Sequence, residues 1–209
     1  MKLAVICANG KSGKLIVKEA LAHGLDVTAF VRGENHSDAK KSVSKDLFEL
    51  TREDLTGFDA VVDAFGAWTP ETIGGIPKAV KHLCSLLSGT PTRLVIVGGA
   101  GSLYADAGHT LTVADGKDFP DAWKPLAAAH GEALDILRGQ KDVKWTYISP
   151  AADFQAERPK CGKYILAGDE LTLSPKGESV IGYADYAAAL INEVTSGNHI
   201  GERISFVEG

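Results

Sequence analysis

Residues Val5 to Gly13 read Val-Ile-Cys-Ala-Asn-Gly-Lys-Ser-Gly. The glycines at positions 10 and 13 leave no side chain between the backbone and an approaching phosphate. An apolar run, Leu3 to Cys7, precedes them and suits a buried parallel strand. A helical pattern follows, and its start would offer free N–H groups and a positive dipole end. A strand, a side-chain-poor turn and a helix start are what a nucleotide diphosphate requires. The spacing is Cys7-x-x-Gly10-x-x-Gly13, with cysteine where the usual fingerprint begins on glycine. A tight turn that holds no ligand is the competing reading of such a short pattern.

The second residue type with a chemical consequence is Arg32, at the end of the next apolar run. An acidic residue there would bond the adenosine ribose hydroxyls of NAD. A guanidinium cannot accept those bonds, but it can pair with a 2′-phosphate. NADP(H) is therefore favoured, with NAD(H) the alternative. Glu34, the nearest acid, lies two residues on. Lys11, inside the turn, offers either a second positive charge or a solvated one. Asp46 is either an adenine partner or a loop cap.

These residues need a scaffold, and the chain alternates apolar strands with helical patterns. Strands are expected at Leu3–Cys7, Asp26–Val31, Ser44–Phe48, Ala60–Phe65, Arg93–Val97, Lys144–Ser149 and Arg203–Val207. Helices are expected at Lys11–His23, around Ile76, Val80, Leu83, Cys84 and Leu87 up to Gly89, from Pro125 through Leu126, His130, Ala133 and Leu137, and around Tyr183, Ala187, Leu190, Ile191 and Val194. Thr51-Arg-Glu-Asp54 resembles a capping box. Gly33–Lys45 reads as a loop or short helix, Leu103–Ala122 as a long loop, and Lys163–Leu173 as a hairpin around Ala167-Gly168-Asp169. The alternation predicts an α/β fold, a doubly wound parallel sheet with helices on both faces. Ligands of such sheets lie outside the carboxyl ends of the strands, where the winding reverses. That places the loops after Cys7, Val31, Phe65, Val97 and Ser149 along one crevice.

Bulk properties narrow the function. A chain of 209 residues can bury a full core and is expected to form one domain, 1–209, with a small substrate-side region at about 150–182. A net charge of −5 and the lack of a basic cluster argue against nucleic acid. No apolar stretch is long enough to span a membrane, and the first residues are not a signal peptide. Three cysteines without framework spacing fit free thiols, so a cytoplasmic protein is expected. The oligomeric state is open.

Together, Ala8-Asn9-Gly10-Lys11-Ser12-Gly13, Phe30-Val31-Arg32, Val61-Val62-Asp63-Ala64-Phe65-Gly66 and Val97-Gly98-Gly99-Ala100-Gly101-Ser102-Leu103 resemble the atypical short-chain dehydrogenase/reductase group. Within it, the resemblance is to NADH-flavin reductases, related to NmrA-like proteins and to biliverdin-IXβ/flavin reductase. Trp145 to Ala151 and Gly162-Lys163-Tyr164 carry it nearly end to end. The resemblance implies a Rossmann-like fold and an NAD(P)-binding oxidoreductase. It implies cofactor phosphates on Asn9 to Gly13, with Ala8 in the same motif, and adenosine near Arg32. Nicotinamide is implied near Phe65, Gly66 and the loop starting at Gly98 and Gly99.

Most short-chain dehydrogenases pair a tyrosine acid with a lysine four residues on, which lowers the tyrosine pKa. This chain contains no Tyr-x-x-x-Lys. Carbonyl and alcohol chemistry thus lacks its usual acid and base, which also argues against a sugar epimerase or dehydratase. Hydride transfer to a flavin survives that loss, because the proton can come from water and the protein mainly holds two flat rings together. Trp68, Trp123, Tyr104 and Phe154 are the aromatic candidates for a planar substrate, flavin or quinone, with ordinary packing the competing reading. Here the flavin is a substrate rather than a tightly held cofactor. Ser102, or Gly101 in the other register, falls near the family's catalytic serine. His109 and His130 are possible proton donors, and His130 also suits a buried, hydrogen-bonded role. No metal cluster is expected. A redox sensor that binds NADP(H) without turnover, of the NmrA type, is the alternative function.

Overall fold

A computed structural model describes all 209 residues. The strands are β1 (Lys2–Ile6), β2 (Asp26–Val31), β3 (Lys41–Ser44), β4 (Ala60–Asp63), β5 (Arg93–Val97), β6 (Lys144–Ser149), β7 (Asp153–Gln155), β8 (Tyr164–Ala167), β9 (Val180–Gly182) and β10 (Glu202–Glu208). The helices are α1 (Lys11–Ala22), α2 (Pro70–Ile73), α3 (Gly75–Leu87), α4 (Lys124–Arg138) and α5 (Tyr183–Ser196).

Eight strands form one sheet in the order β3-β2-β1-β4-β5-β6-β10-β8, and β7 pairs with β9 separately. All neighbours in the large sheet are parallel except β8, which runs against β10. The chain winds outward from β1 in both directions, so the reversal falls between β1 and β4. The crevice expected of a Rossmann-like sheet opens there.

Residue alternation along the strands builds two cores. Leu3 and Val5 of β1, Ala60 and Val62 of β4, and Val95 and Val97 of β5 face one side, under Ile16, Val17 and Ala20 of α1 and Leu190, Ile191 and Val194 of α5. Ala4 and Ile6, Val61, and Leu94 and Ile96 face the other, under Val80, Leu83 and Leu87 of α3 and Ala133, Leu134 and Leu137 of α4. Because both faces are covered, these strands read as unbroken apolar runs. Each fully buried leucine or isoleucine contributes about 1.5–3 kcal/mol.

Several local expectations change. The third strand is Lys41–Ser44, not Ser44–Phe48. It is an edge strand, so polar residues suffice, and its pairing with Thr28–Val31 supplies the order. Past it the Asp46 carboxylate accepts the Phe48 N–H at 2.9 Å and winds Leu47–Glu49 into a 3₁₀ turn. β4 stops at Asp63 rather than Phe65, because the Asp63 side chain accepts the Phe65 N–H at 2.9 Å and bends the chain. At Thr51–Asp54 the Asp54 carboxylate takes both the N–H and the hydroxyl of Thr51, ahead of a short 3₁₀ turn. The expected hairpin at Lys163–Leu173 does not form. β8 pairs with distant β10, Ala167 opposite Ser205, while the arm past Asp169 bonds to Tyr104. The buried Arg203 accounts for this, since it draws Asp169 away from β8. The short pair β7–β9 carries too few residues to show a strand period in sequence.

Candidate functional site

A cleft of about 1230 Å³ lies at the carboxyl ends of β1, β2 and β4. Its floor is the glycine turn. The Gly10 N–H bonds the Cys7 carbonyl at 2.9 Å, and α1 starts immediately afterwards. No side chain caps α1, so its first N–H groups remain available to an anion. Cys7, Asn9, Gly10, Lys11 and Ser12 line the cleft. Ala8 does not: it is fully buried and packs with the α1 core, a correction to its place among the phosphate-facing residues. Gly13 is buried as well. A methyl there would lie 2.5 Å from the Cys7 carbonyl oxygen, so its role is to let α1 touch the end of β1.

Cys7 adopts φ +58°, the left-handed region that favours glycine. The position where the fingerprint carries its first glycine thus has a glycine-like backbone and a cysteine side chain. Burial pushes the Cys7 thiol up to about 12, with the nearby Asp63 adding to the effect and Arg32 opposing it. The thiol is protonated and a poor nucleophile at neutral pH. Asp63 is buried beside it with no cation in contact. Burial pushes its carboxyl up to about 6, although the Phe65 N–H partly offsets this.

Arg32, Glu34, His36, Asp46 and Phe48 line the part of the cleft beyond β2. Arg32 is exposed and makes no salt bridge or side-chain hydrogen bond. Lys11 reaches Glu157 at 3.7 Å, with both side chains largely in solvent. Asp46 lines the cleft and is also the cap of the following turn. Phe48 and Phe65 meet edge to face at 6.1 Å. His36, Phe48 and Lys78 line the cleft without having been expected there. Phe48 offered an apolar signal, while His36 and Lys78 sit among polar residues that say nothing of their direction.

On the other side, Phe65, Gly66 and Trp68 line the cleft. Trp68 is 63% exposed and meets Trp123, 51% exposed, edge to face at 6.4 Å. Two indoles left in water beside a cleft are unusual for packing residues.

The remaining expected residues lie outside the cleft lining. A methyl on Gly98 would lie 2.3 Å from the Tyr147 ring, and one on Gly99 would lie 2.8 Å from the His130 ring. Close packing therefore explains both glycines. The Gly99 N–H donates to the Tyr147 hydroxyl at 2.9 Å, and that hydroxyl lies 3.2 Å from His130 Nδ1. Burial lowers His130 to about 4, so the ring is neutral at neutral pH. Ser102 is committed to Arg203, whose Nη1 donates to its carbonyl at 2.7 Å and its hydroxyl at 3.2 Å. Tyr104 stacks on His109 at 4.1 Å and lies under the Arg203 guanidinium. Phe154 stacks on Tyr183 at 3.9 Å and packs against the α1 side of the core. The structure thus gathers the turn, Arg32, Asp46, Phe65, Gly66 and Trp68, and leaves Ser102, His130, Tyr104 and Phe154 in packing contacts elsewhere.

A family model described as NAD(P)H-binding matches residues 7–196. The chain is 40% identical over 210 residues to the Bacillus subtilis protein called "uncharacterized protein YwnB", covering 99% of this chain and 98% of that one. Among solved structures, a Streptococcus pneumoniae protein described as "a putative NADH-flavin reductase" superposes with a TM-score of 0.98 at 53% identity over the whole of both chains. A Bacteroides thetaiotaomicron protein described as a "putative epimerase" superposes with a TM-score of 0.85 at 33% identity, covering 99% of this chain and 96% of that one.

Proposed function

The chain belongs to the NAD(P)H-binding family, and from that premise we propose that it is an NADPH-preferring reductase of planar acceptors, flavin first and quinone second. The observation that carries the reading is the continuity of one cleft from the glycine turn to the exposed indole of Trp68.

The residues present fit a dinucleotide. The turn has no side chain to spare, since a methyl at Gly10 would lie 3.2 Å from the Cys7 carbonyl oxygen. The uncapped start of α1 suits a diphosphate, and the unpartnered Arg32 suits a 2′-phosphate. The backbone of Asn9 to Ser12 would hold the diphosphate, Arg32 and Asp46 the adenosine end, and Phe65 and Gly66 the nicotinamide end. Bound reduced nicotinamide supplies a hydride. The chain's own task is then to place and shield a second ring. Trp68 and Trp123 offer it faces to stack on, and Ala156 of the segment 150–182 lines the same cleft, as does Tyr183. Ser102 and His130 are given structural work in this proposal, so the acceptor takes its proton from water. The likeness to the S. pneumoniae protein supports the flavin choice. The absent Tyr-x-x-x-Lys weighs against epimerase chemistry. Three free cysteines and the lack of any helix long and apolar enough to cross a membrane agree with work in the cytoplasm.

The missing acid–base pair also favours a second reading, an NADP(H) sensor that does not turn over. Steady-state assays of NADPH and NADH with FMN, FAD and a quinone test the first. Oxidation of NADPH with a flavin is expected. Tight nucleotide binding by calorimetry, with silence toward every acceptor, would establish the sensor instead.

A further inference from the structure

The Asn9 side chain leaves the glycine turn and enters the segment after β2. Its Nδ2 donates to the Glu34 carbonyl at 2.8 Å, and its Oδ1 accepts the His36 N–H at 2.7 Å. The two bonds fix the amide's orientation, because its donor and acceptor ends cannot be exchanged. Residues 33–38 form no backbone–backbone hydrogen bond of their own. A second asparagine organises the segment internally. Asn35 Nδ2 donates to the Ala39 carbonyl at 2.9 Å, and its Oδ1 accepts the Ser37 N–H at 3.0 Å. Asn35 therefore shapes the segment, and Asn9 fastens it to the floor of the cleft.

The fastened segment begins at Arg32 and includes His36, and both line the cleft. A guanidinium fork and an imidazole N–H are donors that a phosphate monoester can bridge. Such a site binds well only if the donors are already in place, since ordering a free loop costs conformational entropy for each residue fixed.

We infer that Asn9 is a positioning residue that sets discrimination at the 2′-position of the adenosine ribose, by holding Arg32 and His36 on one wall. This rests on the dinucleotide reading above. Asn9 touches the turn as well as the loop, so the two effects must be separated by ligand. A 2′-phosphate feels the loop, whereas a 5′-phosphate feels the turn.

The test is calorimetric binding of adenosine 2′,5′-bisphosphate and of 5′-AMP to wild type and to Asn9→Ala, with amide exchange at His36 recorded on the unliganded proteins. The variant should bind the bisphosphate at least tenfold more weakly and 5′-AMP within threefold of wild type. The His36 amide should exchange at least tenfold faster while the amides of β1 and β4 keep wild-type protection, which shows the latch open in a folded variant. An affinity ratio within threefold of wild type, with exchange accelerated, overturns the inference. Equal losses for both ligands overturn it too, because Asn9 then acts only through the turn. If wild type prefers 5′-AMP, the NADPH preference falls, and Asn9 is still judged by whether the ratio moves. If wild type binds neither nucleotide, the dinucleotide reading fails and takes this inference with it.

Discussion

The carbonyl oxygen of Cys7 and the Cα of Gly13 are in such close contact that a methyl group on Gly13 would lie 2.5 Å from that oxygen. The same carbonyl accepts the Gly10 N–H, and Cys7 itself is left-handed at φ +58°. One peptide thus sets the turn, receives the helix and carries the backbone strain. The floor of the cleft is a close-packed backbone turn, with side chains absent at Gly10 and Gly13, where they would crowd the Cys7 carbonyl.

Gly13→Ala should destabilise the protein by about 1–3 kcal/mol through overpacking. Cys7 gives a controlled comparison. Cys7→Ala and Cys7→Gly both remove the thiol, but only glycine relaxes the left-handed backbone, worth about 1–2 kcal/mol. Urea unfolding should find Cys7→Gly the more stable of the two by about 1 kcal/mol. Equal stabilities would mean that the turn carries no strain at this position.

Asp63 gives a pH dependence of definite sign. Its carboxyl rises from an ordinary 3.8 to about 6 because burial disfavours the charge. The folded protein therefore holds a proton that the unfolded chain has released, across the window from about 4 to about 6. Stability should fall as pH rises through that window, by up to about 3 kcal/mol at 1.36 kcal/mol per pKa unit. Asp63→Asn should remove the slope and be the more stable form at pH 7 to 8. A wild-type stability that climbs between pH 4 and 6, after subtraction of the variant's curve, would reverse this assignment.

The central strands and long helices were legible in sequence because their residues serve one purpose each. Leu94–Val97 and Trp145–Ser149 are buried on both faces, so a mainly apolar run marks each element. The short edge strand β3 and the β8–β10 pairing were not, since backbone bonds and the distant Arg203 decide them. The floor of the cleft could be read because glycine spacing is a local signal. Gly98 and Gly99 show the limit of that signal. They look like a second ligand loop, and spacing alone does not tell that their missing side chains admit Tyr147 and His130. His36 was invisible, because its place depends on an asparagine 27 residues earlier.

At the amino-terminal end of the sheet, away from the cleft, Arg93 and Glu193 are both about 95% buried and pair at 2.6 Å. Thr146 accepts from Arg93 at 2.7 Å, and the Glu193 carboxylate also accepts the His199 N–H at 3.1 Å. Burial alone would raise the Glu193 carboxyl, but the bonds from Arg93 and His199 outweigh it and hold the group below the usual range. Glu193→Ala strands a buried guanidinium and should cost about 3–5 kcal/mol. The contribution is full above the unfolded carboxyl's pKa and is lost as pH falls through the lower folded value. Acid unfolding should therefore be steeper in wild type than in the variant, while kcat per folded molecule stays unchanged at pH 7. A variant within 1 kcal/mol of wild type would show that solvent reaches this pair.

Trp68 separates acceptor binding from nucleotide binding. Its indole is mostly in water, touching Trp123 edge to face, while Trp145 is buried in the core under α3 and α4. An acceptor ring stacked at the mouth should quench the two exposed indoles and leave Trp145 emission as an internal reference. Removing a stacking face costs about 0.5–1.5 kcal/mol beyond the area lost. Trp68→Ala should therefore raise the acceptor KM by up to about tenfold, which corresponds to 1.4 kcal/mol. The dissociation constant of NADPH, whose proposed contacts are the turn and Arg32, should stay within about twofold. Trp68→Phe keeps a flat face and should recover most of the loss. If Trp68→Ala weakens NADPH instead and leaves the acceptor KM alone, the indole belongs to the nicotinamide end, and the acceptor must approach from the side of segment 150–182.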